Sequence, residues 1–475
     1  MKRRTAAFAA ILVAAGACKD STSVPDLNNP SVESASVLNR GNLQLLTTGI
    51  LNQERVALDY PFLVFPGTMA RDILRLDNSE SRFETELLEG SPSPGGFIAR
   101  GFSSYYVVVR AENNLLAALP NATSDITEGE KASISGLVRT LKANDLYRVL
   151  ETRDTLGIPV DVADASTLAP ILCKPSALAA LSALLDSAYA DLQAAQAAGT
   201  DVFPVTLPSG WTSIGGDYSQ IDQFIKYNRG LKGKIEVYRG LDHTAPNPAS
   251  FQAAIDALDI ALAGVGTSAD DLAGGPYYQF STASGEVANP LFDTRIHFQN
   301  SVGDSIQAGD LRSAKIITRT TPATLTVDGY PFAAKYDPAV TVTSNTANQT
   351  RPIPILKNEE LYLLRAQAEI GKGDLVSATR DINIVRVNVG GLPPYAVFTS
   401  ATAAINALLY EKRYSLLTDG PQRLVDLRAY NRLNATTFPS GTMSSPYAGD
   451  PFNAALPYPQ AEIDARKGNI TPVCS

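Results

Sequence analysis

The residues that could carry out catalysis form no recognisable catalytic site in this sequence. Carboxylates are numerous, but none is paired in a context that suggests the acid–base chemistry of a glycosidase. Residues 371–374 read Gly-Lys-Gly-Asp, yet they lie between two predicted helices and lack the strand that precedes a phosphate-binding loop. The only two histidines, His243 and His297, are far apart in the sequence. We therefore expect no enzyme activity, no metal and no cofactor.

Aromatic residues in glycine-rich loops are the candidates for ligand binding. Trp211, the only tryptophan, lies in the glycine-flanked loop 208–216. Tyr277 and Tyr278 follow Gly-Gly-Pro, and Tyr330 has a similar setting. Aromatic rings in such loops can stack on the apolar faces of a ligand. For Trp211 the alternative is a structural role, in which the ring anchors its loop on the scaffold.

Arg71 and Asp72 are candidate polar contacts for the same ligand, because they follow the irregular segment that begins at residue 60. The alternative is a helix-start pair with a structural role. Phe62 and Phe65, in the same segment, are expected in the core.

Cys18 ends a segment with the features of a bacterial lipoprotein signal. Residues 1–4 are basic, and residues 5–15 form an apolar stretch that is too short to span a membrane. The small residues at 15–17 precede the cysteine, as a lipoprotein signal peptidase requires. We expect a signal peptide over residues 1–17, lipidation of Cys18 and a polar tether over residues 18–30. The alternative is an ordinary cleaved signal that leaves Cys18 as a free thiol.

The other two cysteines are Cys173 and Cys474. A secreted chain enters an oxidising compartment, where pairs of free thiols tend to form disulfides. We predict that this pair ties the C-terminal tail to the loop after Pro170.

Length and charge set limits on the class of protein. The 475 residues could hold about three average domains or one large domain with insertions. Apolar residues make up 44% of the chain, which is enough to build a core, and the net charge is −8 without long charged runs. Nothing in this pattern suggests nucleic-acid binding.

Helical periodicity dominates much of the chain. Apolar residues recur at helical spacing in five central segments, at residues 104–119, 130–150, 176–198, 218–240 and 251–262. Together with the C-terminal helices they suggest four helix pairs. Stacked pairs bury their apolar faces against neighbours, which favours one superhelical scaffold. Residues 264–351 lack this period and read as a loop-rich insertion with short β-like runs at 316–319 and 325–327.

The C-terminal part combines a helix pair with a charged signature. Residues 357–371 and a second helix capped by Asp374 are joined by a glycine turn, and a third helix leads into a segment with several charged residues. This segment resembles the C-terminal signature of the SusD/RagB family of outer-membrane nutrient-binding lipoproteins. Residues 456–463 resemble the family's closing motif. The matching positions are Glu411, Arg413, Asp419, Gly420, Arg423, Asp426, Leu427 and Arg428.

The resemblance implies a mainly α fold, with a tetratricopeptide-like scaffold of helix pairs, loop-rich insertions and short β elements. Residues 31–475 would form a single SusD-like domain, with the insertion at 264–351 and the signature at 357–463. The charged signature residues would form a buried ion-pair network that locks the last helices together, rather than a catalytic cluster.

The resemblance also implies a function. A protein of this family is anchored in the outer membrane by its lipid, faces the cell surface and caps a TonB-dependent, SusC-like transporter. It captures a nutrient, most often an oligosaccharide, and in this chain the loops 209–216 and 274–280 would form the site. The alternative is a tetratricopeptide-type interaction scaffold in the periplasm without small-molecule binding. A third class, a secreted hydrolase, lacks catalytic residues.

Overall fold

Helices form most of the chain in a computed structural model that describes residues 38–327, 330–342, 345–438 and 451–474. The helices are α1 (Arg40–Ala57), α2 (Tyr60–Met69), α3 (Arg82–Thr85), α4 (Gly96–Ala118), α5 (Glu128–Arg153), α6 (Lys174–Ala197), α7 (Ser209–Thr212), α8 (Ile221–Gly240), α9 (Ala249–Ala261), α10 (Ala269–Ala273), α11 (Asn300–Asp304), α12 (Asn358–Lys372), α13 (Leu375–Asn388), α14 (Ala401–Ser415), α15 (Gln422–Ala429) and α16 (Gln460–Ala465).

The strands are few and mostly short. They are β1 (Ile73–Arg75), β2 (Ile158–Pro159), β3 (Ile171–Leu172), β4 (Tyr277–Tyr278), β5 (Ile296–Phe298), β6 (Ile316–Val327), β7 (Tyr330–Pro338) and β8 (Ile353–Pro354). An antiparallel sheet has the order β1-β5-β7-β6, and β2 with β3 and β4 with β8 form two further pairs. The two β-like runs seen in the sequence, at 316–319 and 325–327, belong to the single strand β6.

Local signals in the sequence fix where the main helices begin and end. The Thr127 side chain accepts from the backbone N–H of Glu130, whose carboxylate accepts in return from the Thr127 N–H, so a capping box opens α5. Asp374 caps α13 by accepting from the backbone N–H of Ser377. Gly373 ends α12 with φ of 83°, the left-handed conformation that glycine adopts without strain.

The helices pack in chain order. Helix α5 packs on α4 and α6, α8 packs on α6 and α9, and α12 packs on α9, α13 and α14. Ala366, Ala368 and Ala378 are fully buried where α12 meets α13, so small side chains allow these two helices to approach closely. The mainly helical, tetratricopeptide-like scaffold expected from the sequence is confirmed.

The segment from residue 60 is less irregular than its sequence suggests. Asp59 caps α2 by accepting from the N–H of Tyr60, and Pro61 lies in the first turn, where a helix tolerates proline. Phe62 and Phe65 are buried in the main core, as expected. The two prolines make this segment look irregular in the sequence, but it is a helix because contacts with the surrounding core stabilise it.

Within the described ranges, none of the helices combines the length and apolar character that a membrane span requires.

Glu84, in α3, gives a pH-dependent prediction. Its side chain is buried, and neither carboxylate oxygen accepts a hydrogen bond from another residue. Burial raises the pKa of Glu84 to about 8, assisted by the negative charges of Glu89 and Asp77 and opposed by Arg75. In the unfolded chain the pKa is close to 4.5. Between these two values the folded state holds a proton that the unfolded state has released, so stability falls as the pH rises.

We therefore expect Glu84→Gln to be more stable than wild type at pH 9, by at most about 5 kcal/mol. The two proteins should differ little at pH 4, where both states of the wild type are protonated. Urea unfolding across this pH range measures the difference. A gap that does not widen with pH would contradict the prediction.

Candidate functional site

A cleft of about 870 Å³ opens where the insertion meets the helices. Its walls come from residues 214–226, 264–277, 338–340, 351–358 and 417–419, with Asn289, Leu291 and Lys315 between them. Both loops singled out in the sequence reach this cleft, the first through Ile214 and Gly215 and the second through Gly274 and Tyr277.

Backbone-to-backbone contacts hold the rim of the cleft together. The N–H of Gly275 donates to the carbonyl oxygen of Gly215 at 2.9 Å, and the N–H of Asn358 donates to that of Gly274 at 2.8 Å. A Cβ atom at Gly210 would lie 2.1 Å from the carbonyl oxygen of Tyr277, and one at Gly215 would lie 2.2 Å from that of Gly275. Only glycine permits this close approach of two backbones. We call the segments 210–215 and 274–277, which meet here, the glycine junction.

Tyr277 is the aromatic side chain that the structure places in the cleft. It lies on β4, which pairs with β8 so that Tyr277 is opposite Pro354. The ring is half-buried and its hydroxyl donates to the carbonyl oxygen of Ala273. Burial raises the pKa of Tyr277 to about 12, so the phenol is neutral at physiological pH. A neutral, oriented ring is suited to stacking on a sugar.

Tyr278 points the other way, because successive side chains of a strand alternate between its faces. Its side chain is 3% exposed and belongs to the main core. The expectation that Tyr278 offers a stacking surface is therefore wrong. Tyr330 begins β7, but its side chain lies outside the described part of the structure.

The floor of the cleft carries a paired lysine. Nζ of Lys357 lies 2.7 Å from Asp419 and also pairs with Glu359. Burial lowers the pKa of Lys357, but the two carboxylates outweigh that effect and raise it above its usual value. Lys315 donates to the carbonyl oxygen of Ser415 at 2.6 Å, at the end of α14. Burial, with the charge of Lys357, lowers the pKa of Lys315 to about 8.

Other charged side chains of the cleft are free to meet a ligand. Lys226, Arg351 and Asp270 line it and form no ion pair with any residue in the described ranges. Thr418 also lines the cleft, with φ of 71°, a conformation that is strained for a β-branched residue. Such strained positions often lie at functional sites.

The sequence did not single out Lys226, Arg351 or Thr418. Lys226 is one of several polar residues on the predicted helix at 218–240, and nothing in the sequence distinguishes it from the others. For Arg351, the available signal was the lack of helical period over residues 264–351. Lys357, Asn358 and Asp419 were noted only for their structural positions, as helix-start and signature residues.

Trp211 does not provide an exposed stacking surface. It lies in α7 with 3% of its surface exposed. Its ring centroid is 5.3 Å from that of Tyr227 and 5.9 Å from that of Phe224, both on α8, and Tyr218 lies edge-on to it. The alternative weighed in the sequence, a loop anchor, describes this geometry. The ring is turned inward and holds one side of the cleft in place.

Arg71 and Asp72 are also buried rather than available to a ligand. The Arg71 guanidinium donates to the carbonyl oxygen of Pro451 at 3.0 Å and lies over the ring of Phe452. Asp72 lies 2.6 Å from Arg413 and 3.7 Å from Arg423. The proposed ligand contact is thus replaced by a structural one, in which the N-terminal part of the chain is bound to the C-terminal signature.

The charged signature residues form buried ion pairs, as the resemblance implied. Glu411 accepts from Arg386 at 2.9 Å and pairs with Arg312 at 2.7 Å, while Asp426 pairs with Lys412 at 2.7 Å. All six charged positions of the signature take part in such pairs, namely Glu411, Arg413, Asp419, Arg423, Asp426 and Arg428. Gly420 forms the turn between α14 and α15.

Cys173 and Cys474 are joined by a disulfide in the structure, with their Cα atoms 5.2 Å apart. The N–H of Cys173 donates to the carbonyl oxygen of Val473, whose own N–H donates to that of Ile171. The C-terminal tail is therefore tied to β3 by backbone as well as covalent bonds. Cys18, the signal peptide and the tether lie outside the described residues.

Comparison with known proteins identifies the fold. No family model and no curated protein matches the sequence. Solved structures of SusD-type proteins do match over most of the chain. A SusD superfamily protein of Bacteroides fragilis is 13% identical, with a TM-score of 0.63 over 92% of this chain and 99% of its own.

Two further solved structures give the same result. A SusD/RagB family protein of Bacteroides thetaiotaomicron is 15% identical, with a TM-score of 0.58 over 89% of this chain and 98% of its own. A SusD-like carbohydrate binding protein of Bacteroides vulgatus is also 15% identical, with a TM-score of 0.56 over 83% of this chain and 84% of its own. The resemblance seen in the sequence is confirmed as a likeness of fold.

Proposed function

Because the chain has the SusD-type fold, we propose that it binds an oligosaccharide in the 870 Å³ cleft and acts as a binding protein rather than an enzyme. Two findings support this proposal: the fold itself and the description of one structural neighbour as a carbohydrate binding protein. The observation that carries it is the position of Tyr277. Its half-buried ring lies at a cleft whose walls also supply ammonium, guanidinium, carboxylate and amide groups.

This combination suits a sugar better than an apolar ligand. A sugar offers an apolar ring face for stacking and a rim of hydroxyl groups for hydrogen bonds. Lys226 and Asp270 provide a donor and an acceptor on the wall of the cleft, and Asn358 lines it as well. A solvated sugar exchanges hydrogen bonds with water for hydrogen bonds with the protein, at little net gain in free energy. We therefore expect weak binding, with dissociation constants of roughly 1 μM or higher.

A second cleft, of about 500 Å³, is less suited to this role. Its lining includes Val107 and Leu168, whose side chains are more than half exposed, beside Tyr106 and Arg110. The Tyr106 hydroxyl is already bound, because it donates to the carbonyl oxygen of Pro159. This cleft therefore offers fewer free polar groups to a sugar.

Replacing Tyr277 by alanine is expected to weaken oligosaccharide binding by roughly tenfold, because the stacking surface is lost. Tyr277→Phe is the matched control: it keeps the ring, loses only the hydrogen bond to Ala273 and should bind within about twofold of wild type. Calorimetry with a ligand found on a glycan and peptide array measures both. Equal affinity of the alanine variant and wild type would place the binding surface elsewhere.

We further propose that the protein is a lipid-anchored outer-membrane protein that delivers its ligand to a TonB-dependent, SusC-like transporter. Support comes from the lipoprotein-like signal before Cys18 and from the fold. A transporter gene beside this one on the chromosome would strengthen the case. Binding of no glycan or peptide, together with stable capture of a periplasmic protein, would instead favour the interaction scaffold.

Cys18→Ser should release the protein into the soluble fraction. Two or three acyl chains bury enough methylene groups to hold a protein on a membrane stably, whereas the variant carries none. Fractionation followed by a carbonate wash measures the change. A variant that remains with the membrane after the wash would contradict lipidation at this cysteine.

A further inference from the structure

Three carboxylates from three different helices meet in the interior of the protein. Glu54 comes from α1, Glu112 from α4 and Asp145 from α5. Each offers an oxygen that lies within 4.8 Å of an oxygen of the other two. We call these residues the carboxylate cluster. They are 54, 112 and 145 residues into the chain, so the fold and not local sequence brings them together.

The carboxylate cluster is buried and lacks the partners that buried charges require. Glu54 is 1% exposed, and Glu112 and Asp145 are not exposed at all. Five of their six carboxylate oxygens have no hydrogen-bond donor among the described residues, and the only carboxyl groups of the cluster close enough to bond to each other are Glu54 and Asp145. An uncompensated carboxylate in a protein interior is very unfavourable, and natural proteins pair it, protonate it or bind a metal with it.

The nearest cations compensate this charge only in part. The charge of Arg148 opposes the rise in the pKa of Glu54 and Asp145, but burial outweighs it, and the guanidinium also lies 3.5 Å from Glu151. Lys142 acts on Glu112, but its ammonium donates to the amide oxygen of Asn113 at 2.7 Å. No ion pair within 4.0 Å involves a cluster carboxylate in the described ranges.

Three tyrosine hydroxyls around the carboxylate cluster are also without partners. Tyr105, Tyr227 and Tyr278 are 0%, 3% and 3% exposed, and none of their hydroxyls makes a hydrogen bond within the described residues. Glu54 and Asp145 are among the charged groups that act on each of the three. These hydroxyls come from α4, α8 and β4, and the charges of Glu54 and Asp145 act on all three, so they lie near the carboxylate cluster.

We propose that the carboxylate cluster, with the surrounding tyrosine hydroxyls, is a binding site for a calcium ion. Calcium binds six to eight oxygen ligands and accepts an all-protein cage, whereas magnesium usually keeps several waters. Zinc and copper prefer histidine or cysteine, and the cluster contains neither. A divalent cation would neutralise most of the cluster's charge of −3 and give its oxygens ligand bonds.

The ion would also lie beneath the ligand cleft. Tyr278, whose hydroxyl belongs to this site, is the neighbour of Tyr277 on β4. Tyr227, on α8, packs against Trp211 of the loop that forms the glycine junction. Calcium would therefore bind helices α1, α4 and α5 to the elements that carry the cleft.

The competing explanation is that protons, not a metal, neutralise the carboxylate cluster. Burial raises the pKa of Glu54 to about 8, and it also raises the pKa of Glu112 and of Asp145 well above the usual values of these groups. Glu54 and Asp145 are also close enough to share a proton. A direct measurement of bound metal separates the two explanations.

The first experiment measures metal content and stability of the purified protein. The chain is incubated for a long period with EDTA, divided, and returned to buffer with calcium, magnesium, manganese, zinc or no metal at pH 7.5. After gel filtration, plasma mass spectrometry should find about one calcium per chain in the calcium arm alone. Calcium at 100 times its dissociation constant should raise Tm by about 3 °C over the metal-free arm.

Isosteric variants locate the site. Glu112→Gln and Asp145→Asn should lose at least nine-tenths of the bound calcium and the rise in Tm. Glu84→Gln is the matched control, because Glu84 is a buried carboxylate with two unpartnered oxygens that lies outside the cluster. It should bind as much calcium as wild type. Circular dichroism establishes that each variant is folded before its metal content is interpreted.

A terbium titration tests whether the bound ion lies beside aromatic rings. Terbium replaces calcium at oxygen sites, and its emission rises when an excited aromatic ring lies within a few ångströms. We expect sensitised emission in wild type that added calcium displaces, and a several-fold weaker signal in Glu112→Gln.

Two outcomes would overturn the proposal. One is metal content below a tenth of an ion per chain in all arms with unchanged Tm, which would mean that the carboxyl groups hold protons. The other is calcium retained equally by wild type and by both cluster variants, which would place the ion at another site.

Discussion

Replacing both Cys173 and Cys474 by serine is expected to lower the free energy of unfolding by about 5 kcal/mol. The two residues are 301 positions apart, so their bond closes a very long loop in the unfolded chain. Chain-entropy models give a larger stabilisation for a longer loop, and the upper value for one of this length is about 6 kcal/mol. For a chain of this size a loss of about 5 kcal/mol corresponds to a decrease in Tm of about 5 °C.

Reduction provides the matched control for this variant. With excess dithiothreitol the wild type loses the same bond, so the two proteins should then melt at the same temperature. In oxidising buffer they should differ, and the variant's tail should be cleaved first by a nonspecific protease, because residues 466–474 are largely exposed. Equal melting temperatures in oxidising buffer, or two free thiols in a non-reduced digest of wild type, would rule out the disulfide.

Trp211→Ala is expected to destabilise the protein by about 4 kcal/mol, with a decrease in Tm of about 4 °C. The buried indole packs against Tyr218, Phe224 and Tyr227, and its removal leaves a cavity among rings that cannot collapse to fill it. Of the two roles that the sequence allows for Trp211, stacking on a ligand and anchoring its loop, this prediction follows from the second.

The chain's single tryptophan makes this prediction simple to check. Its fluorescence should show the emission of a buried indole, and acrylamide should quench it poorly until the protein unfolds. Trp211→Phe keeps an aromatic ring in the cavity and should lose about half as much stability. Strong quenching of the folded wild type, or a stable alanine variant with weakened ligand binding, would restore Trp211 as a surface residue that contacts ligand.

The helical scaffold could be predicted because helices leave a local record in the sequence. Apolar spacing, the caps at Thr127 and Asp374 and the glycine at position 373 act within a few residues of one another. Helix α2 could not be predicted in this way. It contains two prolines, Pro61 and Pro66, which indicate irregular structure more strongly than the cap at Asp59 indicates a helix. Tertiary packing decides whether such a segment is helical.

The candidate site was predictable only in part. The two glycine-rich loops do reach the cleft, because glycine density marks places where backbones approach each other. The sequence could not say which aromatic ring faces outward, since Trp211 and Tyr277 have similar surroundings in the chain and opposite ones in the fold. Asp72 was misplaced for the same reason: its partner, Arg413, is 341 positions away.

The carboxylate cluster is the feature that sequence patterns could least predict. Histidine-based metal sites have recognisable spacings in a sequence, whereas this cluster has none. Glu54, Glu112 and Asp145 lie on separate helices and share no motif. Each is unremarkable until the burial of all three is known.

The glycine junction has a consequence for how the ligand preference of the cleft, as we propose it, could change. Its frame is made of main-chain hydrogen bonds and glycines, so most substitutions there would break the cleft and not alter its preference. The side chains of Lys226, Asp270 and Arg351 line the cleft, and they form no ion pair with the frame in the described ranges. Selection can therefore replace these side chains one at a time. Each replacement would change the ligand preference of the cleft and leave its main-chain frame unchanged. Under the proposed function, related chains that bind other ligands should keep the glycines and differ at these three positions.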